Sequence, residues 1–378
     1  MVIIISQLQI GFSQGKVYKV GIFAPLYLDS AFNSNNVLKY DRALPKQSIA
    51  GLEFVEGALI ALDSLSANKP VEAFIYDVRS ASDPLSSLVK NKTLDNLDLI
   101  IGSVRDFDFK MLSDLALQKN IPFISATYPN DGGVTANPFL VILNSTLKEH
   151  CEGIFNYILQ QHGTERVLLV KRKGDDRIFN YFKNLNTQEG KPLMKIETMA
   201  VDSFVYASSL KNHLDSNFKT VIIGASLDEG FAKSLANAAF GIKGHYPLTL
   251  IGMPNWEGFK SFSGKDNFKD FPILYTTPYY IQKGVFDNYL SKEYFRLYKS
   301  RPTDLVYKGY EATYFFTHLL LNHPSDFTSQ LNDKSLTVFH EFNFKPVYIN
   351  KKNGLPDYFE NSHLFIMKLQ NGVTLREW

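Results

Sequence analysis

Several features that mark other classes of protein are scarce in this sequence. Its 378 residues include one cysteine, Cys151, which excludes an internal disulfide and a metal site built from several cysteines. Its 40 basic residues are balanced by 38 acidic residues without a long run of one sign, so the electrostatic footprint of a nucleic-acid-binding protein is missing. Beyond the N-terminus no apolar run reaches the ~18 residues that a membrane-spanning helix needs. These absences favour a soluble globular protein that does not bind nucleic acid.

The common motifs of catalysis are absent too. No predicted strand is followed by G-x-G-x-x-G, G-x-x-x-x-G-K-[ST] or G-x-S-x-G, and residues 224–230 read GASLDEG, so nucleotide-binding and hydrolase functions lose their main support. His150, His318 and His323 lack the i, i+4 spacing of a zinc-binding helix. We interpret them as scattered surface histidines. The sequence therefore predicts no metal ion, no cofactor and no catalytic residue, and the protein is not expected to be an enzyme.

The N-terminus carries a localisation signal. Residues 2–12 (VIIISQLQIGF) are mostly apolar, and Ser13-Gln14-Gly15 supplies the small-x-small pattern that signal peptidases accept. We interpret residues 1–16 as the remainder of a signal peptide, although no Lys or Arg precedes the apolar run. The alternative is a frayed N-terminal strand. The prediction is a periplasmic or otherwise exported protein.

The body of the chain alternates between short apolar runs and amphipathic segments. This alternation is typical of βαβ units and a parallel sheet, and at about 150 residues per domain the length predicts two domains. The predicted strands are 17–26, 71–78, 97–104 and 121–130 in a first series and, after an apolar run at 138–144, 166–172, 192–200, 219–229, 247–258 and 271–280 in a second series. The predicted fold class is α/β, with two successive doubly wound, Rossmann-like lobes.

The helices are indicated by periodicity and by caps. In a predicted helix over 48–66 the apolar face consists of Leu52, Val55, Leu59 and Leu62; residues 30–48 before it are polar and predict a loop at a cleft mouth. Thr146 with Glu149 predicts a capping box, and the apolar stripe of the helix that follows is Leu147, Cys151, Ile154, Phe155 and Ile158. On that stripe Cys151 is expected to be a buried, inert thiol.

The C-terminal part has two further patterns. Residues 285–322 predict a helix that is broken at Arg301-Pro302 and capped again by Thr303 or Asp304. The tail after this helix alternates like antiparallel strands, with turns at Asn353-Gly354 and Asn371-Gly372.

Polar and aromatic side chains follow the predicted strands, at the edge where parallel α/β sheets bind ligands. Hydroxyls, amides and rings of this kind hold a polar ligand without activating it. The candidate ligand-binding residues are Ser103, Ser125, Thr127, Asn130, Ser226, Asn255, Trp256, Glu257 and Tyr279. For each Ser, Thr or Asn the alternative is a helix N-cap. Glu257 beside Trp256 suits an ammonium group, and the alternative for that pair is a solvated glutamate and a core tryptophan.

Four segments resemble a known family. They are AGLEFVEGALIALDSL (50–65), LIIGSV (99–104), IPFISAT (121–127) and FRLYKSRPTDLVYKGYEA (295–312). Together and in this order they resemble the type I periplasmic binding proteins, in particular the branched-chain amino-acid-binding (Leu/Ile/Val-binding-like) family and its uncharacterised members from Bacteroidota-type bacteria. The resemblance extends from about Val17 to the C-terminus.

The resemblance implies two lobes that close on a ligand by a hinge motion. Lobe 1 would comprise 17–143 with 281–330, lobe 2 would comprise 144–280 with 331–378, and the hinge crossings would lie near 143–146, 280–284 and 322–336. Ser103, Ser125 and Thr127 would hold the carboxylate and amine of the ligand, with an acidic residue near Glu257. The sequence departs from the family in lacking its early disulfide and in placing Arg105 and Asp106 at the first site.

These inferences predict a solute-binding protein, a monomer or weak dimer, that captures an amino acid or similar small polar ligand in the cleft for an ABC permease. The alternative is a sensory or cell-envelope module, acting on peptidoglycan-related material, that kept the fold without a role in transport. An enzyme on this scaffold is disfavoured because the sequence has no recognisable base and nucleophile pair.

Overall fold

The computed structural model describes residues 16–378 except 34, 36, 41–42, 66–70, 263, 265–267 and 350–353. The signal-peptide pattern at 2–15 and Asn353 of one predicted turn therefore lie outside the described residues. Contacts divide the chain into one unit of residues up to Ala126 with Leu290–Gln330, and a second of Thr127–Tyr289 with Leu331–Trp378. The predicted lobe boundaries and hinge positions differ from these limits and stay predictions.

Strands and helices alternate in the first part of the chain. They are β1 (Tyr18–Ala24), α1 (Leu28–Ala31), α2 (Lys46–Ser64), β2 (Val71–Asp77), α3 (Leu85–Lys90), β3 (Leu99–Gly102), α4 (Asp106–Lys119), β4 (Phe123–Ser125), β5 (Leu140–Ile142) and α5 (Leu147–Gln161). In the first unit the strands pair in parallel in the order β4-β3-β1-β2. β3 and β4 are buried along their whole length, which explains their continuous apolar runs.

The remaining elements complete the second unit and return to the first. They are β6 (Arg166–Arg172), α6 (Arg177–Leu185), β7 (Thr187–Gln188), β8 (Lys191–Pro192), β9 (Ile196–Val201), α7 (Ala207–Lys211), β10 (Thr220–Ala225), α8 (Glu229–Ile242), β11 (Leu248–Ile251), β12 (Ile273–Thr277), α9 (Val285–Tyr298), α10 (Asp304–Asn322), β13 (Phe344–Val347), β14 (Tyr358–Asn361), β15 (Phe365–Gln370) and β16 (Val373–Arg376). The second unit contains a seven-stranded sheet in the order β16-β15-β12-β11-β10-β6-β9. Its strands from β9 to β12 are parallel, so the chain is a mixed α/β protein with predominantly parallel sheets.

The core of the first unit depends on a close contact between α2 and α10. A Cβ added to Gly57 would lie 2.0 Å from the carbonyl oxygen of Val306, and one added to Gly309 would lie 1.9 Å from that of Phe54. Only glycine therefore allows the two backbones to approach this closely. The contact also shows that the buried face of α2 differs from the predicted face that included Leu59. Leu59 is 38% exposed, because the buried face is the one that carries Phe54 and the glycine.

In the second unit the predicted apolar stripe of α5 is confirmed. The predicted surface position of one histidine, His150, is wrong. Cys151 is fully buried, and burial raises the pKa of its thiol to about 12, so the thiol stays protonated at neutral pH. His150, predicted to lie at the surface, is 3% exposed. Its Nδ1 lies 2.8 Å from the hydroxyl of Thr276, and burial lowers the pKa of His150 to about 3.

Two helices begin where they were predicted to begin, but their N-cap residues form hydrogen bonds that differ from the predicted ones. Thr146 is the N-cap of α5 and its hydroxyl accepts a hydrogen bond from the backbone N–H of Glu149 at 3.5 Å. Its own N–H donates to Glu360 Oε1 at 2.5 Å rather than to Glu149, so only half of the predicted capping box forms. Thr303 precedes α10, and its hydroxyl binds Glu53 at 2.9 Å instead of capping the helix.

The tail contains the predicted hairpin of β15 and β16 and a second antiparallel pair, β13 and β14. Asn371 and Gly372 both have positive φ, 52° and 72°, as the type I′ turn between β15 and β16 requires. β13 is antiparallel to β14 and β15 to β16, as predicted for the tail. β14 also pairs in parallel with β5, which lies outside the tail. Within the described part of the chain, no helix is long and apolar enough to cross a membrane.

Candidate ligand-binding site

Ser103 and Ser125 stand at the carboxyl edge of the sheet in the first unit. Gly102 of β3 is paired in register with Ser125 of β4, so Ser103 follows directly beside it. The backbone N–H of Ser103 donates to the carbonyl oxygen of Phe23 at 2.8 Å. Ser125 is fully buried, and its hydroxyl has no hydrogen-bond partner among the described residues. The structure thus brings these two predicted residues together on neighbouring strands.

Two aspartates that were not among the predicted ligand residues order the loops beside these serines. Asp77, the last residue of β2, accepts hydrogen bonds from the backbone N–H groups of Leu26 and Leu28 at 2.9 and 2.8 Å. Asp29 accepts from the N–H groups of Ala81 and Ser82 at 2.6 and 3.0 Å. These bonds lower the pKa of Asp29. For Asp77 the signal in the sequence was its position at a strand end, where the acceptor atoms of an aspartate can bind successive backbone donors.

A buried carboxylate lies behind the same edge. Asp108 on α4 is 6% exposed, and its Oδ2 lies 3.0 Å from Nη2 of Arg79. Burial raises the pKa of Asp108, and the positive charge of Arg79 opposes that rise. Asp106, the first residue of α4, has a positive φ of 53°, and the aromatic ring of the next residue, Phe107, is 70% exposed.

Thr127 and Asn130 belong to the second unit by its contacts. The carbonyl oxygen of Thr127 accepts a hydrogen bond from the side-chain amide of Asn144 at 2.7 Å. Asn130 is exposed, and its side chain accepts from the N–H of Gly132 at 2.9 Å. Asn130 therefore acts as a turn residue in this structure.

Ser226, Asn255 and Trp256 are joined at the carboxyl edge of the sheet in the second unit. The indole Nε1 of Trp256 donates to the carbonyl oxygen of Ser226 at 3.0 Å, and the amide of Asn255 donates to the carbonyl oxygen of Leu227 at 2.7 Å. Trp256 is fully buried, so its ring belongs to the core. Glu257 beside it is exposed. The structure therefore separates the environments of this predicted pair.

An ion pair completes this edge. Arg172, at the end of β6, lies 3.3 Å from the carboxylate of Asp228, which also caps α8 by accepting the N–H of Phe231 at 2.7 Å. Arg172 was not among the predicted ligand residues, although a charged residue at the end of an apolar strand was a visible signal in the sequence. Tyr279 is partly buried after β12, and its N–H donates to the hydroxyl of Thr277 at 3.3 Å.

The second unit also holds a buried acidic residue, Glu360, and a partly buried one, Glu149, where α5 begins. Burial raises the pKa of Glu360 to about 7 and that of Glu149 to about 8, and the proximity of Glu360 raises the pKa of Glu149 further. The N–H of Thr146 opposes the rise for Glu360. Both carboxyl groups consequently carry protons over part of the neutral pH range.

Comparisons with known proteins establish the fold. No protein-family model and no curated protein matches the sequence. Comparison with solved structures shows that the chain has the fold of the type I periplasmic binding proteins. This confirms the predicted fold class. This class includes the ligand-binding components of branched-chain amino acid ABC transporters.

Three of these structures show the extent of the likeness. A putative branched-chain amino acid ABC transporter protein from Rhodospirillum rubrum has a TM-score of 0.67 at 13% identity, over 96% of this chain and 100% of that one. A periplasmic ligand-binding protein from Burkholderia xenovorans has a TM-score of 0.62 at 12% identity, over 96% and 94%. A substrate-binding protein from Streptococcus pneumoniae, solved with isoleucine, has a TM-score of 0.52 at 15% identity, over 96% and 100%.

Proposed function

We propose that this protein is an extracytoplasmic solute-binding protein that captures a small polar ligand, such as an amino acid, for an ABC-type importer, and that it catalyses no reaction. The observation that carries the proposal is the buried hydroxyl of Ser125 at the carboxyl edge of β4, without a hydrogen-bond partner among the described residues. Parallel α/β sheets bind their ligands at this edge.

The energetics of Ser125 favour a polar ligand. A buried hydroxyl without a partner costs about 1–3 kcal/mol, and a ligand that supplies a donor or acceptor recovers much of that cost. Ser103 on the neighbouring strand end is only partly exposed. Two hydroxyls so placed suit a carboxylate or an ammonium group, which forms stronger hydrogen bonds than a neutral group.

The second unit also holds a predicted ligand residue. Glu257 is exposed after β11, and its contact with an ammonium group stays a prediction from the sequence. Trp256 is left out of the proposed contacts because its ring is buried in the core. The proposed export and the importer partner rest on the apolar N-terminal segment of the sequence and on the fold shared with transporter components.

A ligand panel tests the proposal. The purified full chain would be screened by thermal unfolding and by isothermal titration calorimetry against the twenty amino acids, small peptides and sugars at about 1 mM. One ligand class at 100 times its dissociation constant should stabilise the protein by about 2.7 kcal/mol. If no ligand shifts the melting temperature or gives a saturable heat, the proposed function is wrong.

A further inference from the structure

A groove in the second unit lies outside the candidate site. Its volume is about 920 Å³, within the range of small-molecule sites. It is lined by the outer face of α5, by residues 341–345 and by the C-terminal residues Arg376 and Trp378, and none of the predicted ligand residues lines it. We call this surface the C-terminal groove.

The charges in the C-terminal groove favour an anion. Glu341 is paired with Lys334 at 2.7 Å, and Glu377 is paired with Lys368 at 2.6 Å. Within the described ranges, no acidic side chain lies within ion-pair distance of the other two cationic lining residues, Lys345 and Arg376. The charge of Lys345 lowers the pKa of Glu149, so Lys345 is partly compensated by that carboxyl. The groove thus presents two cations, Lys345 and Arg376, with no described carboxylate within ion-pair distance.

The guanidinium of Arg376 lies over two aromatic rings. Its guanidinium carbon lies 4.9 Å from the centre of the Phe365 ring and 5.7 Å from that of Tyr280. Stacking of this kind fixes the plane of the guanidinium while leaving its N–H groups directed outward. A planar, pre-organised guanidinium matches a carboxylate through two parallel hydrogen bonds.

The rest of the lining suits hydroxyl groups and a flat apolar face. Asn156 and Gln160 are exposed on one face of α5, since residues four apart share a side of a helix. Each amide both donates and accepts hydrogen bonds, as sugar hydroxyls do. Trp378 is 38% exposed and is supported by Tyr157, with ring centres 5.6 Å apart, so its ring can pack against the C–H face of a sugar.

We propose that the C-terminal groove is a second ligand site, which binds a sugar that carries a carboxylate. Arg376, with Lys345, binds the carboxylate, the amides of Asn156 and Gln160 bind hydroxyls, and Trp378 packs on the ring. This proposal does not depend on the amino-acid site, because the residues concerned are different.

Matched probes test the chemistry. The full chain is titrated by calorimetry with galacturonate, with galactose, which has the same ring without the carboxylate, and with acetate. Galacturonate should bind at least about tenfold more tightly than galactose, a difference of about 1.4 kcal/mol, and acetate should bind more weakly than either. No binding of galacturonate at 10 mM (roughly the weakest useful affinity) overturns the proposal. So does equal binding of galacturonate and galactose, or equal binding of galacturonate and acetate.

Variants locate the site. Arg376→Gln should reduce galacturonate affinity to that of galactose, Lys345→Gln should reduce it by a smaller factor, and Trp378→Ala should weaken both sugars. Lys173→Gln is the control, since Lys173 is an exposed cation paired with Asp202 at 2.9 Å outside the groove, and it should change nothing. Ser125→Ala should leave galacturonate binding intact, which separates this site from the proposed amino-acid site. Unchanged binding in folded Arg376→Gln and Lys345→Gln would contradict the assignment.

Discussion

The indole nitrogen of Trp256 donates a hydrogen bond to the carbonyl oxygen of Ser226, 3.0 Å away. The same ring packs onto two glycines, where an added Cβ would lie 2.4 Å (Gly224) and 2.1 Å (Gly252) from ring carbons. The loops that follow β10 and β11 are therefore joined through a buried ring. The ring supports the position of Asn255 and Glu257, which follow the same strand.

Replacing Trp256 with phenylalanine tests this support. The variant loses one ring of buried area and leaves the carbonyl oxygen of Ser226 without its donor, so the free energy of unfolding should fall by about 2–4 kcal/mol. Urea denaturation measures the change. Trp378→Phe is the matched control, because Trp378 is 38% exposed and its replacement should change the free energy by about 0.5 kcal/mol or less. Equal effects of the two replacements would contradict the buried role of Trp256.

Ser125→Ala should affect stability and binding in opposite directions. Removing a buried hydroxyl that lacks a partner should leave the unliganded protein unchanged or stabilise it by about 1 kcal/mol. The stabilisation caused by the ligand should shrink, because one polar contact is lost. Thermal unfolding with and without the best ligand of the panel measures both quantities.

The control for Ser125 is Thr220→Val. Thr220 also has a buried hydroxyl with no hydrogen-bond partner among the described residues, but it is the first residue of β10, at the opposite edge of a sheet. This variant should match Ser125→Ala in stability and keep the full response to the ligand. A loss of ligand response in both variants would show that the effect is not specific to the carboxyl edge.

Gly309→Ala should unfold or strongly destabilise the first unit. The added methyl would lie 1.9 Å from the carbonyl oxygen of Phe54, which is backbone and has no side-chain freedom to move away, so we expect a loss of about 3 kcal/mol or more. Gly241→Ala in α8 is the control, because nothing lies within 4 Å of its added Cβ. That variant should gain up to about 1 kcal/mol from helix propensity. Urea denaturation of both variants distinguishes packing from propensity.

Glu149 should make the protein less stable as the pH rises. Its folded pKa of about 8 lies above the ordinary 4.5, so the folded protein holds a proton that the unfolded chain releases. The resulting stability is fully present below pH 4.5 and is lost as the pH rises through about 8. After allowance for partial exposure we expect a decrease of about 2 kcal/mol over this range.

Glu149→Gln keeps the neutral form at every pH and should flatten this decrease. Denaturant midpoints between about pH 5 and pH 8 measure the slope. Glu189→Gln, a change at an exposed position of the loop between β7 and β8, should leave the slope unchanged. An unaltered slope in Glu149→Gln would assign the pH dependence to other groups, with Glu360 as the first to test.

The fold could be predicted from the sequence because its local signals agree with its topology. Buried parallel strands appear as continuous apolar runs, Pro302 marks the break between α9 and α10, and the Asn371-Gly372 turn requires residues that accept positive φ. The strands were predicted too long, since 121–130 forms only Phe123–Ser125. The end of a strand is hard to predict, because the sequence does not show which residues of a run still form hydrogen bonds with the neighbouring strand.

The parts of the site that were missed depend on contacts between distant residues. Nothing in the sequence shows that Asp77 would bind the loop after β1, or that Trp256 would turn onto Gly224 and Gly252 rather than face solvent. The buried face of α2 was misjudged for the same reason. Its leucines follow the helical period, but the helix that covers it lies at the other end of the first unit's sequence.

The glycine contact between α2 and α10 also constrains the order in which the chain can acquire its structure. Glu53 and Thr303, which bind each other beside this contact, are 250 residues apart in the sequence. During synthesis, the apolar face of α2 therefore stays uncovered until α10 has emerged. The second unit is completed later still, because it includes residues 331–378. A nascent chain that stops before α10 would expose the apolar face of α2 that carries Phe54 and Gly57, and we expect a chaperone to protect this face until α10 covers it.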